Sequence, residues 1–176
     1  MELPATLLVI PTLNEAAHIE QVLRELCVGL AVGAPVHFVV ADGGSTDGTQ
    51  AIVRGLAGAW PWPLTLLPNP KRLQSAAVNL AVRLFGQGAQ LLVRCDAHAS
   101  YPPGFIHRLH ATLTAQGADA VVVPMDSVGD SPWQQAVAWV SDTPVGSGGS
   151  AHRGGARSGF VDHGHHAAFS MASFCR

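Results

Sequence analysis

Two hydrophobic patterns alternate along the chain. Short, continuous apolar runs occur at Ala5–Ile10, Val36–Ala41, Leu64–Leu67, Gln90–Cys95 and Ala120–Val123. Runs of this length without polar alternation predict strands buried on both faces. Between them, apolar positions recur with a helical period. Ile19, Val22, Leu23 and Leu26 share one helical face, and so do Ala76, Leu80 and Leu84, then Phe105, Leu109 and Leu113. Strands alternating with helices predict right-handed crossovers and a mainly parallel sheet, hence an α/β fold. On such sheets ligands sit beyond the carboxyl ends of the strands, so chemistry is expected just after each run.

From about Gly129 the pattern changes. Ser131–Ser141 predicts one helix with Pro132 in its first turn. Val145–Gly159 is rich in Gly and Ser and predicts a mobile loop. The expected division is a core over residues 1–128 and a second region over 129–176. No internal repeat is visible, and Phe174-Cys175-Arg176 suggests no final element.

Composition narrows the class. At 176 residues the chain fits one domain, a size that buries roughly 70% of the unfolded surface. Its 48% hydrophobic content is ordinary, while the 12% charged content is low. With 19 Gly and 12 Pro this describes a core joined by tight turns rather than a disordered chain. A net charge of −2 excludes a strongly basic footprint, so no nucleic-acid partner is expected. Three cysteines without paired spacing fit a reducing compartment, and a cytoplasmic location is expected. The start lacks the basic segment and long apolar stretch of a secretory signal. No run approaches the length of a membrane span.

Three strand ends carry candidate chemistry. The first runs into Pro11-Thr12-Leu13-Asn14-Glu15, where Thr12 and Asn14 offer polar side chains and Glu15 is expected to open the next helix. The second runs into Asp42-Gly43-Gly44-Ser45-Thr46-Asp47-Gly48-Thr49. Its glycines permit a tight turn and a close approach of backbone to ligand. Ser45 or Thr46 is expected to cap the following helix, and Asp42 to aim an acceptor at a ribose hydroxyl or a base N–H. This is no Walker loop, because Gly-Lys-Ser/Thr is absent. The fourth delivers Arg94-Cys95-Asp96-Ala97-His98 and then Tyr101-Pro102-Pro103. Two residues apart in an extended stretch, Asp96 and His98 can face one crevice. They offer a hard oxygen suited to Mg2+ or Mn2+ and a nitrogen that Mn2+ tolerates. Each turn taken singly is also explained as a plain strand-to-helix connection.

Together and in this order, Pro-Thr-Leu-Asn-Glu, Asp-Gly-Gly-Ser-Thr-Asp-Gly-Thr and Asp-Ala-His resemble the family 2 inverting glycosyltransferases, in particular the succinoglycan and exopolysaccharide biosynthesis type. Asn69-Pro70-Lys71-Arg72-Leu73-Gln74-Ser75-Ala76-Ala77-Val78-Asn79 and Asp96-Ala97-His98-Ala99-Ser100-Tyr101-Pro102-Pro103 agree further. The likeness runs from Leu7 to about Phe169. It implies a GT-A, Rossmann-like sandwich, incomplete at the C-terminal end, binding a nucleoside diphosphate sugar that would be a UDP-sugar. The resemblance assigns nucleotide-sugar contacts to Pro11, Thr12, Asn14, Glu15, Asp42, Lys71, Arg72, Asn79 and Asp96. It assigns a metal, Mg2+ or Mn2+, to Asp96 and His98, where the family's Asp-X-Asp carries a second carboxylate in place of His98. The implied acceptor is a polysaccharide or lipid-linked sugar.

The family's catalytic base follows a Gly-Gly-Phe-Asp-Glu-like segment that is not found here, so the base is expected beyond Arg176. Any membrane-associating region would lie downstream as well, placing the protein at the inner face of the plasma membrane. A shortened copy would bind donor and transfer sugar poorly. Two other readings remain: a non-catalytic sugar-nucleotide binding module, and a nucleotidyltransferase. The latter usually has a basic Gly-rich loop after its first strand, which Pro11–Glu15 is not. Asp162-His163-Gly164-His165-His166 is competent for metal, though a zinc site needs three or four ligands at defined spacing. A role lining the sugar or acceptor side suits it better, with His152 and Arg153 left as loop polar groups. His107 and His110 are expected on a helix surface, and Trp60 and Trp62 against the core.

Overall fold

Each of the five apolar runs becomes a strand, with ends within about two residues of those expected. The structure is a computed structural model that describes residues 2–124, 127–129, 131–148, 159 and 167–176. In chain order the first elements are β1 (Thr6–Thr12), α1 (Ile19–Cys27), β2 (Val36–Asp42), α2 (Thr49–Ala57), β3 (Leu64–Pro68) and α3 (Gln74–Phe85). Then come β4 (Leu91–Arg94), α4 (Phe105–Gln116), β5 (Ala120–Val122), α5 (Pro132–Ser141), α6 (Pro144–Ser147), β6 (Ala167–Ser170) and α7 (Met171–Phe174).

The sheet order is β3-β2-β1-β4-β6-β5. β1 pairs in parallel with β2 and β4, and β2 with β3. Leu8, Val9, Ile10, Val39, Val40 and Leu92 are completely buried, as expected when both faces of a parallel sheet are covered. On one face Leu7, Val9, Val39, Ala41 and Leu92 pack with Ala77, Val78 and Ala81 of α3 and Met171 of α7. In α1 the buried positions are Ile19, Val22, Leu23 and Leu26, the stripe read from the sequence.

The same reading of α3 is one position out of phase. The helix buries Ala77, Val78 and Ala81, while Ala76 and Leu80 are half-buried and Leu84 is exposed. Small side chains let the helix lie close on the sheet, and Leu84 is left outside. The expected absence of a final element is also corrected: β6 joins the sheet next to β4, and Met171 N–H donates to Gln90 O at 2.9 Å. Trp60 and Trp62 pack on Phe38, with ring centroids at 6.4 and 6.1 Å. His107 and His110 are half-buried rather than surface residues.

The chain divides into two compact units, residues 1–121 with 168–176, and residues 122–167. Within the second, Pro132 occupies the first turn of α5, as the sequence predicts, and the structure adds a capping box formed by Ser131 and Gln134. Part of the expected mobile loop is ordered as α6, and the rest, 149–158, lies outside the described residues. So do Asp162, His163, His165, His166, His152 and Arg153. No helix among the described residues is long and apolar enough to cross a membrane.

Candidate functional site

The parallel register brings the carboxyl ends of β3, β2, β1 and β4 side by side. Thr12 is the Cα partner of Asp42, and Asp42 that of Pro68, while Cys95 N–H continues β4 by donating to Val9 O at 3.0 Å. Four of the sequence motifs therefore open on one edge of the sheet. Asp42 and Asp96 flank β1, so ordinary strand spacing separates their backbones by roughly 10 Å.

Asp42 is buried, and its carboxylate is committed to its own turn. Oδ2 accepts from the N–H groups of Gly44 (2.9 Å) and Ser45 (3.0 Å) and from Gln50 Nε2 (2.7 Å), and Oδ1 accepts from the Ser45 hydroxyl. Gly44 takes φ +92°, the left-handed region where a side chain is strained. The expected cap by Ser45 or Thr46 does not form, because α2 starts later, after Gly48, with no side-chain cap. Instead this segment clamps the end of β1. Ser45 Oγ accepts from Asn14 N–H (2.8 Å), Thr49 Oγ1 from Glu15 N–H (2.9 Å) and Asp47 Oδ2 from Ala16 N–H (2.9 Å). In return Thr46 N–H donates to Asn14 Oδ1 at 2.9 Å. Bonds from the Thr49 hydroxyl and the Ala16 N–H hold the Asp47 carboxyl below its usual 3.8.

Glu15 does not open a helix, since α1 begins at Ile19, whose N–H donates to Glu15 O. Its carboxylate reaches the end of β4, where Oε1 accepts from His98 Nδ1 at 2.8 Å. Asp96 is buried, and its Oδ1 pairs with Arg94 Nη2 at 2.6 Å; the same guanidinium nitrogen donates to Gln74 Oε1 at the start of α3, at 2.7 Å. A single phenol braces the Asp96 backbone: Tyr101 Oη accepts from Asp96 N–H at 2.8 Å and donates to Asp96 O at 3.0 Å. Burial raises the Tyr101 pKa, which keeps the proton this double role requires. Burial likewise raises the pKa of the neighbouring Cys95, so that thiol is no nucleophile.

The basic pair lies beyond β3. Lys71 and Arg72 are exposed, and Arg72 has φ +55°; among the described residues the other non-glycine residue with positive φ is Asn14 at +57°. Such strain concentrates at sites that use it. The Arg72 side chain runs over Gly43 and Gly44: a Cβ at either would stand 3.6 Å from its Cγ or 3.5 Å from its Nη2. Pro11 is half-buried, and Thr12 is buried with its hydroxyl donated to Ile10 O at 2.9 Å. Asn79 is exposed on α3, about 8 Å along the helix from its start, and no bond ties it to the others.

Arg94, Tyr101, Gln50 and Gln74 were not singled out from the sequence as site residues. Arg94 was within reach of that reading, because a residue two before Asp96 in an extended segment faces the same side.

No group of three or more potential metal ligands exists among the described residues. Asp96 and His98 nonetheless suit a cation shared with a diphosphate, since Mg2+-type ions keep waters and take only one or two protein carboxylates beside phosphate oxygens. They do not suit a cation held by protein alone.

Comparison with known proteins gives this edge its context. The family model described as "Glycosyl transferase family 2" matches residues 7–175. The succinoglycan biosynthesis protein ExoA of Rhizobium meliloti (strain 1021) is 48% identical over 170 residues, 97% of this chain and 51% of that protein. The polyprenol monophosphomannose synthase of Mycolicibacterium smegmatis is 34% identical over 140 residues, 75% of this chain and 51% of that protein. The chain thus spans about half the length of these curated relatives. Among solved structures, the mannosyltransferase PcManGT of Pyrobaculum calidifontis, in complex with GDP-Man and Mn2+, superposes with a TM-score of 0.66 at 25% identity. That match covers 95% of this chain and 44% of the other, and the shared architecture is the GT-A fold. A chain matched almost end to end by the family model, with its motifs on the sheet edge where such folds bind ligands, belongs to glycosyl transferase family 2.

Proposed function

We propose that this chain is the donor-binding part of an inverting glycosyltransferase, taking a nucleoside diphosphate sugar and serving transfer to a polysaccharide or lipid-linked acceptor. The observation that carries this is the convergence of four strand ends, with Lys71 and Arg72, Asp42, Thr12 to Glu15, and Asp96 with His98 on neighbouring strands. Asp42 acts by shaping the turn that meets the nucleoside, rather than by offering a free carboxylate. Breaking the sugar–phosphate bond leaves a nucleoside diphosphate with extra negative charge, which the exposed Lys71 and Arg72 stabilise. A divalent cation held at Asp96 and His98 would supply further charge neutralisation on the diphosphate. Inversion requires a carboxylate on the far side of the sugar to take the acceptor proton, and no described residue is assigned that role. The 48% identity to the succinoglycan protein supports an exopolysaccharide acceptor. The nucleotide base is a choice between uracil, implied by the family resemblance, and guanine, as in the GDP-Man complex of the Pyrobaculum mannosyltransferase.

Calorimetry of the chain with UDP, GDP and their sugar conjugates, with and without Mn2+, tests the reading. Binding of a nucleoside diphosphate strengthened by Mn2+ is expected. No binding of any nucleoside diphosphate under either condition refutes it, and triphosphate binding with pyrophosphate release would point to a nucleotidyltransferase.

A further inference from the structure

Glu15 was grouped above with the nucleotide-lining residues, yet its carboxylate is directed elsewhere. Its backbone is pinned on both sides: the N–H donates to Thr49 Oγ1, and the carbonyl accepts from His18 and Ile19 N–H at 3.0 and 2.9 Å. Thr49 is itself buried and held by Asp47, which accepts from both its N–H and its hydroxyl. The Glu15 backbone, from which the side chain springs, is thus fixed through Thr49 and, behind it, Asp47. The carboxylate is spent on one partner 83 residues away, His98 Nδ1.

His98 is otherwise loosely held. Its side chain is 60% exposed, against 16% for Glu15, and Nε2 makes no hydrogen bond with any described residue. An ionised carboxylate can only accept, so the neutral ring facing Glu15 must carry its proton on Nδ1. Nε2 then bears the lone pair. Metal-binding histidines are commonly fixed this way, with the second ring nitrogen donating to a carboxylate that sets tautomer and orientation.

We propose that Glu15 is a positioning residue for His98, holding the ring as the Nδ1–H tautomer and leaving Nε2 as the donor to a divalent cation bound with the nucleoside diphosphate. This rests on the donor-site reading above. It adds that the imidazole standing where the family pattern has a second carboxylate works only because a carboxylate from the β1 turn supports it.

The test uses the 176-residue chain, first without metal and then with it. Long-range proton–nitrogen NMR at pH 8 should show His98 protonated on Nδ1 in the wild type. It should remain so in Glu15→Gln, whose amide oxygen still accepts, and shift toward the other tautomer in Glu15→Ala. With Mn2+ and UDP, and in parallel GDP, pulsed EPR should detect a nitrogen coupled to Mn2+ that is lost in His98→Ala. Mn2+ affinity should fall about ten-fold or more in Glu15→Ala, in the range usual for loss of such a supporting group, and less in Glu15→Gln. A wild-type His98 protonated on Nε2, or Mn2+ affinity unchanged in Glu15→Ala, overturns the proposal. Binding of Mn2+ and nucleotide without nitrogen coupling overturns it while leaving the donor site standing. Absence of both Mn2+ and nucleotide binding in the wild type removes the donor site, and this inference with it.

Discussion

The two edges of the sheet differ in kind. At the edge where the strands start, a recess of about 500 Å³ opens between the beginnings of β1 and β2 and the end of α3, with Pro35, His37, Trp62 and Phe85 among its lining. The rings there pack on one another: His37 meets Phe85 edge-on at 5.0 Å, and Phe38 contacts both Trp60 and Trp62. Among the described residues that line the recess, His37 is the one titratable side chain. At the opposite edge, carboxylates, hydroxyls, an imidazole and two basic side chains gather on four neighbouring strand ends. Packed aromatic rings mark the first edge, and polar chemistry marks the second. Void volume depends on how bulky side chains fit together, whereas a site depends on polar groups held in register by backbone, so the two need not coincide.

If the edges are separate in role, variants at the first should change stability without changing ligand affinity. The largest stability effect is expected from Phe38→Ala, which empties a fully buried ring position and should cost about 3–5 kcal/mol in urea unfolding. The folded fraction should bind nucleotide as before, and a ten-fold weaker affinity would join the edges into one unit. Next is Asp42→Ala, which strips the acceptor from four donors in a buried turn. A loss of about 2–3 kcal/mol is expected, with nucleotide binding weakened whether or not Mn2+ is present. Asp96→Ala should remove the Mn2+-dependent gain in calorimetry and leave metal-free binding intact. Equal losses in both conditions would contradict a division of labour between the two aspartates.

The smallest effect is a pH dependence at the first edge. Burial holds the His37 imidazolium below its ordinary value of 6.5. As pH falls through that value the unfolded chain takes up a proton that the folded chain refuses. The stability contribution is therefore complete above 6.5 and lost as pH drops toward the folded value. His37→Gln should flatten that part of the stability profile, measured by thermal melts across mildly acidic pH, while nucleotide affinity shows no matching change.

Much of the fold was legible because buried parallel strands and the α1 stripe write their periodicity directly into residue type. The phase of α3 was not, because alanine is apolar enough for either face and only proximity to the sheet decides which row is covered. β6 escaped notice because Ala167–Ser170 is four residues long, too short for any period to show. At the site, the motifs fall together on one edge of the sheet, but how each residue is held there depends on contacts between distant segments. Nothing local to Asp42 says that its oxygens are committed to Gly44, Ser45 and Gln50. Nothing local to Glu15 points to His98. Tyr101 was read as part of a turn, whereas its hydroxyl closes on the Asp96 backbone.

The placement of β6 has a kinetic consequence. It lies between β4 and β5, although β5 precedes it in the chain and residues 122–167 form a unit of their own in between. A ribosome would therefore release β1 to β4 long before the strand that borders β4, and the β4 margin must wait as an unpaired row of backbone groups. Contacts spanning so much chain are slow to close, and open strand margins invite pairing with other chains. During synthesis, this is the stretch that most needs shelter.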